Sequence, residues 1–232
     1  MTMNRDNSKG NSKGKDCKVI ISSDGPYLVS GSLPLTGKNI ISDAKGDPVR
    51  WGEGHHYPNQ EEYELCRCGQ SENKPYCDKT HTKITFDGTE TAIRKDYIEQ
   101  AHRISGPNLV LTDAHTLCAA ARFCHRAGGV WRLTENSGDS KSREIAIQEA
   151  CDCPSGRLVV WDKDTGLPIE PQSELRISLV EDPRENVHGP IWLEGGIPLE
   201  SADGMKYETR NRVTLCRCGK SENKPFCDGS HS

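Results

Sequence analysis

The 232-residue chain has no apolar run near the roughly 20 residues that a membrane-spanning helix requires. Aromatic residues make up only 6% and hydrophobic ones 33%. Adding the 22 glycines gives an apolar share of about 42%, slightly under the usual ~45–50%. Neither sign of charge dominates: the net charge of −4 directs the chain neither to nucleic acid nor to an anionic membrane. There is no P-loop and no strand–GxGxxG–helix pattern, and spacing supports no Ser/His/Asp arrangement. Residues 1–16 lack the apolar stretch of a secretory signal. These absences lead to the expectation of a cytoplasmic protein in a reducing compartment, where clustered cysteines more often bind metal than form disulfides. The length suits one large domain or two to three small ones, each with a modest core.

What the chain does have is 11 cysteines. An odd number argues against a fully paired disulfide framework. Ten of them cluster, and Cys17 stands alone as a small buried apolar residue. Six lie in an internal repeat. Cys66 to His81 reads CRCGQSENKPYCDKTH and Cys216 to His231 reads CRCGKSENKPFCDGSH, identical at 12 of 16 positions. Upstream, Gly25 to Leu35 aligns without gaps on Gly189 to Leu199. Leu35 and Cys66 are 31 residues apart, but Leu199 and Cys216 only 17. The first copy therefore carries 14 extra residues, expected as a loop around Gly46, Gly52, Gly54, His55 and His56, with both histidines in solvent. Two copies are too few for a solenoid but enough for an intramolecular pair.

Short β-rich segments bounded by Gly, Pro and Asp predict strands at Val19–Ser22, Tyr27–Ser30, Ile191–Glu194 and Arg212–Leu215. Between the copies, roughly Thr82 to Gln172, the texture changes. Asp113 is placed to cap a helix from Ala114 to about Arg126, with Gly128-Gly129 as its stop. Ser140 is placed to cap a second helix over Lys141–Ala150, and Leu158–Trp161 predicts a strand. Trp131, Trp161 and Trp192 are expected in the core and His125 at the surface. Residues 1–16 are expected to be a disordered tail.

Each repeat supplies Cys-x-Cys-x8-Cys-x3-His. Three thiols and an imidazole form a four-donor set for a soft or borderline metal centre. Structural zinc is one reading, although zinc sites usually space their near pair Cys-x2–4-Cys. In an extended segment the side chains of Cys-x-Cys share a face. That arrangement suits two thiolates on one iron, with Cys77 and His81, or Cys227 and His231, on the other. Spacing leaves zinc and iron–sulfur both open.

The second copy ends in Cys227-Asp228-Gly229-Ser230-His231 and resembles the CDGSH iron–sulfur family, related to mitoNEET. It matches that family's pattern at Cys216, Cys218, Ser221, Pro225, Cys227, Asp228, Gly229, Ser230 and His231. The first copy matches at Cys66, Cys68, Ser71, Pro75, Cys77, Asp78 and His81, with Lys79 for Gly and Thr80 for Ser. The resemblance implies a 2Fe–2S cluster on three Cys and one His in each copy, and two copies packed as an intramolecular pseudo-dimer. Lys79 is expected to alter the first turn, because only Gly takes positive φ easily, and its ammonium to ease reduction of the first site. Asp78 and Asp228 are read as turn caps rather than ligands. With one imidazole the oxidised cluster is less negative than with four thiolates, so its potential rises, as at Rieske centres. Reduction favours a proton on the imidazole, which couples electron and proton uptake at His81 and His231.

Between the copies lie Cys118, Cys124, Cys151 and Cys153, the last followed by Pro154-Ser155-Gly156. A bacterial ferredoxin uses Cys-x2-Cys-x2-Cys with a distant Cys-Pro. Cys118 and Cys124 have the spacing of its first and third cysteines, with Ala121 in the middle place. Six residues turn about 240° on a regular helix, so both thiols face one ion only if the helix is broken. Leu111 to Asp162 resembles the divergent single-cluster 4Fe–4S ferredoxin type. That resemblance implies a 3Fe–4S cluster on Cys118, Cys124 and Cys153, or a 4Fe–4S cluster with an unusual fourth ligand, for which Cys151 is the candidate. A cluster-free domain with buried or paired cysteines is the other reading.

The sequence-based expectation is therefore an α+β protein of two β-rich CDGSH-type halves, 17–82 and 173–232, forming an intramolecular pseudo-dimer around a small α/β ferredoxin-like insert, 83–172. The expected work is one-electron transfer or iron–sulfur cluster storage and transfer, by a carrier and not an enzyme unless a partner supplies the substrate site. The expected state is a monomer whose partner is a redox or cluster-acceptor protein. A redox or iron sensor and a zinc-stabilised interaction module are the alternatives.

Overall fold

The computed structural model describes residues 17–232; the expected disordered tail, residues 1–16, lies outside them. The strands in chain order are β1 (Lys18–Ile21), β2 (Tyr27–Ser30), β3 (Leu35–Ser42), β4 (Pro48–His56), β5 (Glu62–Leu65), β6 (His102–Ser105), β7 (Leu109–Asp113), β8 (Leu158–Asp162), β9 (Pro168–Ile169), β10 (Arg176–Asp182), β11 (Val187–Glu194), β12 (Leu199–Glu200) and β13 (Arg212–Leu215). The helices are α1 (Tyr97–Gln100), α2 (Val130–Glu135) and α3 (Ser140–Cys151). The chain is α+β and β-rich. No helix among the described residues is long and apolar enough to cross a membrane.

The repeats build the sheets by the same rule. In β1, β2 and β5 every second residue is buried, as a half-buried strand requires. Val19, Ile21, Tyr27, Val29, Tyr63 and Leu65 thus face inward. Ile177, Leu179, Ile191, Leu193, Val213 and Leu215 do the same in β10, β11 and β13. All of these residues meet in a single core drawn from both copies.

Each copy also lends a strand to the other. β12 of the second copy lies parallel to β1 of the first, with Val19 beside Leu199. β3 of the first lies parallel to β10 of the second, with Leu35 beside Ile177. The matching backbone bonds run from Val19 N–H to the Pro198 carbonyl and from Ile177 N–H to the Pro34 carbonyl, each 2.9 Å. The sheet orders are β12-β1-β2-β5 and β13-β11-β10-β3-β4.

The 14 additional residues are not the expected loop. They extend β3 and form β4, an antiparallel hairpin whose turn is fixed by Asp43 accepting from the Lys45, Gly46 and Asp47 N–H groups. His55 and His56 are exposed on β4. Trp51 of this hairpin packs on Phe123 and Trp192 and donates to the Asp152 carbonyl, tying it to the central segment.

That segment is a separate antiparallel sheet, β6-β7-β8-β9, with α2 and α3 covering one face through Val130, Leu133, Ala146 and Ala150. Asp139, one residue before the expected Ser140, caps α3 by accepting from Ser142 N–H. The expected helix over Ala114–Arg126 does not form. Two short 3-10 turns, His115–Leu117 and Phe123–Gly128, flank an irregular loop in which Ala120 and Arg122 take positive φ. The reason lies in the packing. Leu117 is buried with Tyr97, Ala114 and Val159, whereas Ala121 and Phe123 are buried with Ile40, Val180 and Trp192. One straight helix cannot serve both cores. Asp113 is not a cap; it pairs with Arg157 and accepts from the Trp131 indole. Trp161 donates to Thr112, so the central tryptophans pack within the fold, as does the buried Trp192. Cys17 is partly buried, and its thiol donates to the Gly31 carbonyl.

Arg212 joins this segment to the second copy. It is 1% exposed and donates to the Ala150, Cys153 and Leu158 carbonyls and to both carboxylate oxygens of Glu170. Its counterpart in the first copy is the exposed Glu62. Replacing Arg212 with Met strands the half-buried Glu170 carboxylate and several buried carbonyls, a loss of about 3 kcal/mol. Glu62→Met touches a surface site, where changes are usually within about 0.5 kcal/mol. Urea denaturation of the two variants checks the contrast, and equal losses would show that Arg212 is not a keystone.

Candidate metal centres

Both repeat motifs fold the same way. The strand before the first cysteine ends in a bridge to the residue before the third, Leu65 to Tyr76 and Leu215 to Phe226. Cys66 N–H donates to the Pro75 carbonyl and Cys216 N–H to the Pro225 carbonyl, both at 2.8 Å. Ser71 and Ser221 hydroxyls donate to the Tyr76 and Phe226 carbonyls. Asp78 accepts from Glu72 and Thr80 N–H, and Asp228 from Glu222 and Ser230 N–H. The two carboxylates therefore fasten the turn. These bonds hold the Asp78 carboxyl at about 2, the Thr80 contacts foremost.

Lys79 takes φ +68 where Gly229 takes φ +91. The first turn thus keeps the left-handed form despite the lysine, contrary to the expected change of turn. Asp78 supplies the reason: its two carboxylate oxygens clamp the backbone on either side of the turn.

Within each motif the donors come in pairs. The Cys66 and Cys68 sulfurs are 3.8 Å apart, and those of Cys216 and Cys218 3.6 Å. Arg67 and Arg217, between the paired cysteines, reach instead to the Ser22 and Gly189 carbonyls. Cys77 Sγ lies 3.4 Å from His81 Nδ1, and Cys227 Sγ 3.3 Å from His231 Nδ1. Among the described residues no third His, Cys, Asp or Glu joins a pair at one metal position. Two sulfurs about 2.3 Å from one tetrahedral ion lie about 3.75 Å apart. The two Cys–Cys spacings fall close to that value.

Electrostatics prepare these donors unequally. The hydrogen bond with Cys218 draws the Cys216 thiol below the usual cysteine range, against the opposing effect of burial and with help from the N–H groups of Ser221, Cys218 and Gly219. Burial pushes the Cys227 thiol up to about 12, with Cys216, Asp228 and Cys118 adding to the rise against a Gly229 N–H. Burial, helped by Arg217, lowers His231 below the usual histidine range, so its imidazole is neutral and able to donate a lone pair at neutral pH.

The two motifs touch. A Cβ on Gly69 would sit 2.5 Å from the Cys218 carbonyl oxygen, and one on Gly219 2.6 Å from that of Cys68. Each turn is seated on the other's cysteine backbone, where only glycine fits. Tyr27 crosses from the first copy to donate to the Cys216 and Pro225 carbonyls.

In the central segment, Cys118, Cys124 and Cys153 line one small cavity with Ala119 to Ala121, Pro154 and Arg157. Burial, with Cys153 and Cys118 adding, pushes the Cys124 thiol up to about 12. Cys151 is absent from this lining; its thiol donates to the Ile169 carbonyl at 3.7 Å. The fourth-ligand candidate therefore faces away, because the last turn of α3 directs it toward β9. His125 is exposed beside Trp131. Sequence reasoning missed Arg157, which bonds Asp113 and lines the same cavity as Cys118, and Arg212, which binds the Cys153 carbonyl. Neither lies in a spacing pattern, and only the tertiary contact reveals them.

Comparison with protein families matches residues 24–82 and 188–232 to the iron-binding zinc finger of CDGSH type, and residues 104–163 to the divergent 4Fe-4S mono-cluster. Comparison with curated proteins and with solved structures returned no match. The chain is an iron–sulfur protein with two CDGSH-type segments flanking a divergent 4Fe–4S mono-cluster segment.

Proposed function

We propose that this chain carries two 2Fe–2S clusters, one on Cys66, Cys68, Cys77 and His81 and one on Cys216, Cys218, Cys227 and His231, and serves as a one-electron carrier. The observation that supports this is the pairing of donors. A single zinc ion would draw all four donors of a motif to one point, whereas a dinuclear cluster takes two donors on each iron. The exchange of β3 and β12 supports reading the two copies as an intramolecular pseudo-dimer. The central sheet with α2 and α3 is read as a ferredoxin-like insert whose cluster rests on Cys118, Cys124 and Cys153. Three cysteines suit a 3Fe–4S cluster, or a 4Fe–4S cluster whose fourth ligand is not Cys151.

When bound, such clusters accept and release single electrons without rearrangement of the protein. The chain's own residues do the rest. Tyr27, Ser71 and Ser221 fix the loops, and Asp78 and Asp228 hold the turns that aim each histidine. Burial of Cys66, Cys68, Cys216 and Cys227 keeps water from the sulfurs. Electron transfer is favoured over cluster donation by this burial and by the cysteine motifs touching back to back. The reading makes the protein a carrier, not an enzyme, working in the cytoplasm as a monomer with a redox or cluster-acceptor protein as its partner.

Purified protein is expected to be red-brown. Four irons per chain, with equal acid-labile sulfide, correspond to the two repeat sites, and seven or eight to a loaded insert as well. Colourless protein with about two zinc per chain would sink the reading.

His231→Cys is expected to keep the second cluster and lower its midpoint potential, since exchange between His and Cys ligands moves potentials in that sense. Spectroelectrochemical titration checks this, and an unshifted midpoint would exclude His231 as a ligand.

A further inference from the structure

We propose that the insert's cysteine site is wired to the second CDGSH-type site and not to the first, so that the chain is an ordered relay running from insert to second site to first site. This rests on the cluster assignments proposed above and goes beyond them by giving the three sites an order.

The insert's ligand loop sits directly on the second motif. A Cβ on Gly229 would lie 3.3 Å from Ala120 Cβ and 3.4 Å from the Cys118 carbonyl oxygen. Asn223 donates to the Thr116 carbonyl at 2.8 Å, two residues before Cys118. Ala119, Ala120 and Ala121 share a cavity of about 390 Å³ with His231. From the other side, Arg212 grips the Cys153 carbonyl at 2.7 Å and Arg210 the Gly156 carbonyl. The segments carrying Cys118 and Cys153 are thus both fastened to the second copy.

The differences between the copies follow this contact. Gly229, Arg212 and Arg210 correspond by repeat position to Lys79, Glu62 and Gln60, all exposed. A lysine is accommodated where solvent covers the turn. Glycine stands where Ala120 covers it. The departure of the first copy from the family pattern therefore marks the cysteine motif on which the loop does not dock.

The second site in turn touches the first through Gly69 and Gly219. In each transfer one electron leaves the upstream centre, oxidising it by one, and enters the next, reducing it by one; no bond is made or broken. A low-potential one-electron donor protein supplies the electron and a one-electron acceptor removes it. Histidine ligation raises a cluster's potential, so the downhill direction is from the insert to the His-ligated sites.

The test is low-temperature EPR on the full chain, poised where the insert and repeat centres are both paramagnetic. The variants are Cys77→Ser, removing the first site, Cys227→Ser, removing the second, and Gly229→Lys. The insert signal is expected to show spin–spin broadening and enhanced relaxation in wild type and in Cys77→Ser, and to lose both in Cys227→Ser. Gly229→Lys places the first copy's residue in a turn that already accepts it there. It is expected to keep its iron while the coupling falls. Coupling that survives in Cys227→Ser but vanishes in Cys77→Ser overturns the order, as does a fully loaded chain with no coupling in any form. Four irons per chain with no insert signal overturns the relay and leaves the two repeat sites standing. Loss of all cluster absorption in wild type overturns the cluster assignments themselves.

Discussion

The structure depends on the exchange of two short parallel pairings, Leu199 beside Val19 and Leu35 beside Ile177. A repeat of about 60 residues buries too little surface to be secure alone. Here each hairpin obtains a neighbouring strand from the other copy, and the inward faces merge into one core. Leu33-Pro34-Leu35 and Ile197-Pro198-Leu199 carry the chain across. Each proline has no N–H to satisfy, and its carbonyl accepts the first crossing bond. The consequence reaches the metal centres. Once the hairpins are interlocked, the turns after Cys68 and Cys218 are pressed against each other's backbone, and the separation of the two centres is set by the fold.

Symmetry of the strands does not extend to the surfaces. β13 is buried along its whole length, whereas β5 buries alternate residues. The difference is the insert, which covers the second copy and leaves the first copy's corresponding edge to solvent. Arg212 is the chemical expression of this. An arginine in a buried strand is tolerable only if its donors are satisfied, and the carbonyls at the end of α3, together with Glu170, satisfy them. The insert is thereby held through the backbone that carries Cys153, so its cysteine site is positioned by a residue outside the segment that resembles a ferredoxin.

Much of this was legible in the sequence, and the exceptions share a cause. The strands, the repeat, the paired donors on one face and the turn role of Asp78 and Asp228 follow from local spacing, where period and hydrogen-bonding chemistry act within a few residues. The loop at Cys118–Cys124 was misread as helix because its propensity is local but its fate is tertiary: Leu117 and Phe123 belong to different cores. The extra segment of the first copy looked like a loop because of its glycines. Yet Gly37 and Gly54 are where β3 and β4 approach too closely for a Cβ. Lys79 was expected to distort its turn, but the Asp78 clamp outweighs the strain of a left-handed lysine, a cost of about 1 kcal/mol or more. Cys151 had a plausible sequence position; only the direction of the last turn of α3 separates it from the other three.

The thiols give the fold its relation to its metals. Cys124 and Cys227 hold their protons up to about 12, chiefly because they are buried. An unfolded cysteine releases its proton near about 8.5. The folded metal-free chain therefore binds these protons more tightly than the unfolded one. The stability these two thiols contribute is fully present below about 8.5 and is lost progressively as the pH rises toward about 12. Metal ligation reverses the sense, since it requires the thiolate and expels the proton. The same burial that favours the protonated empty site becomes, once the charge is shared with a metal, the dry surrounding that keeps a centre from water. Cluster loading and folding are linked through these protons, and Cys227 stands where burial, the second motif and the insert's loop converge.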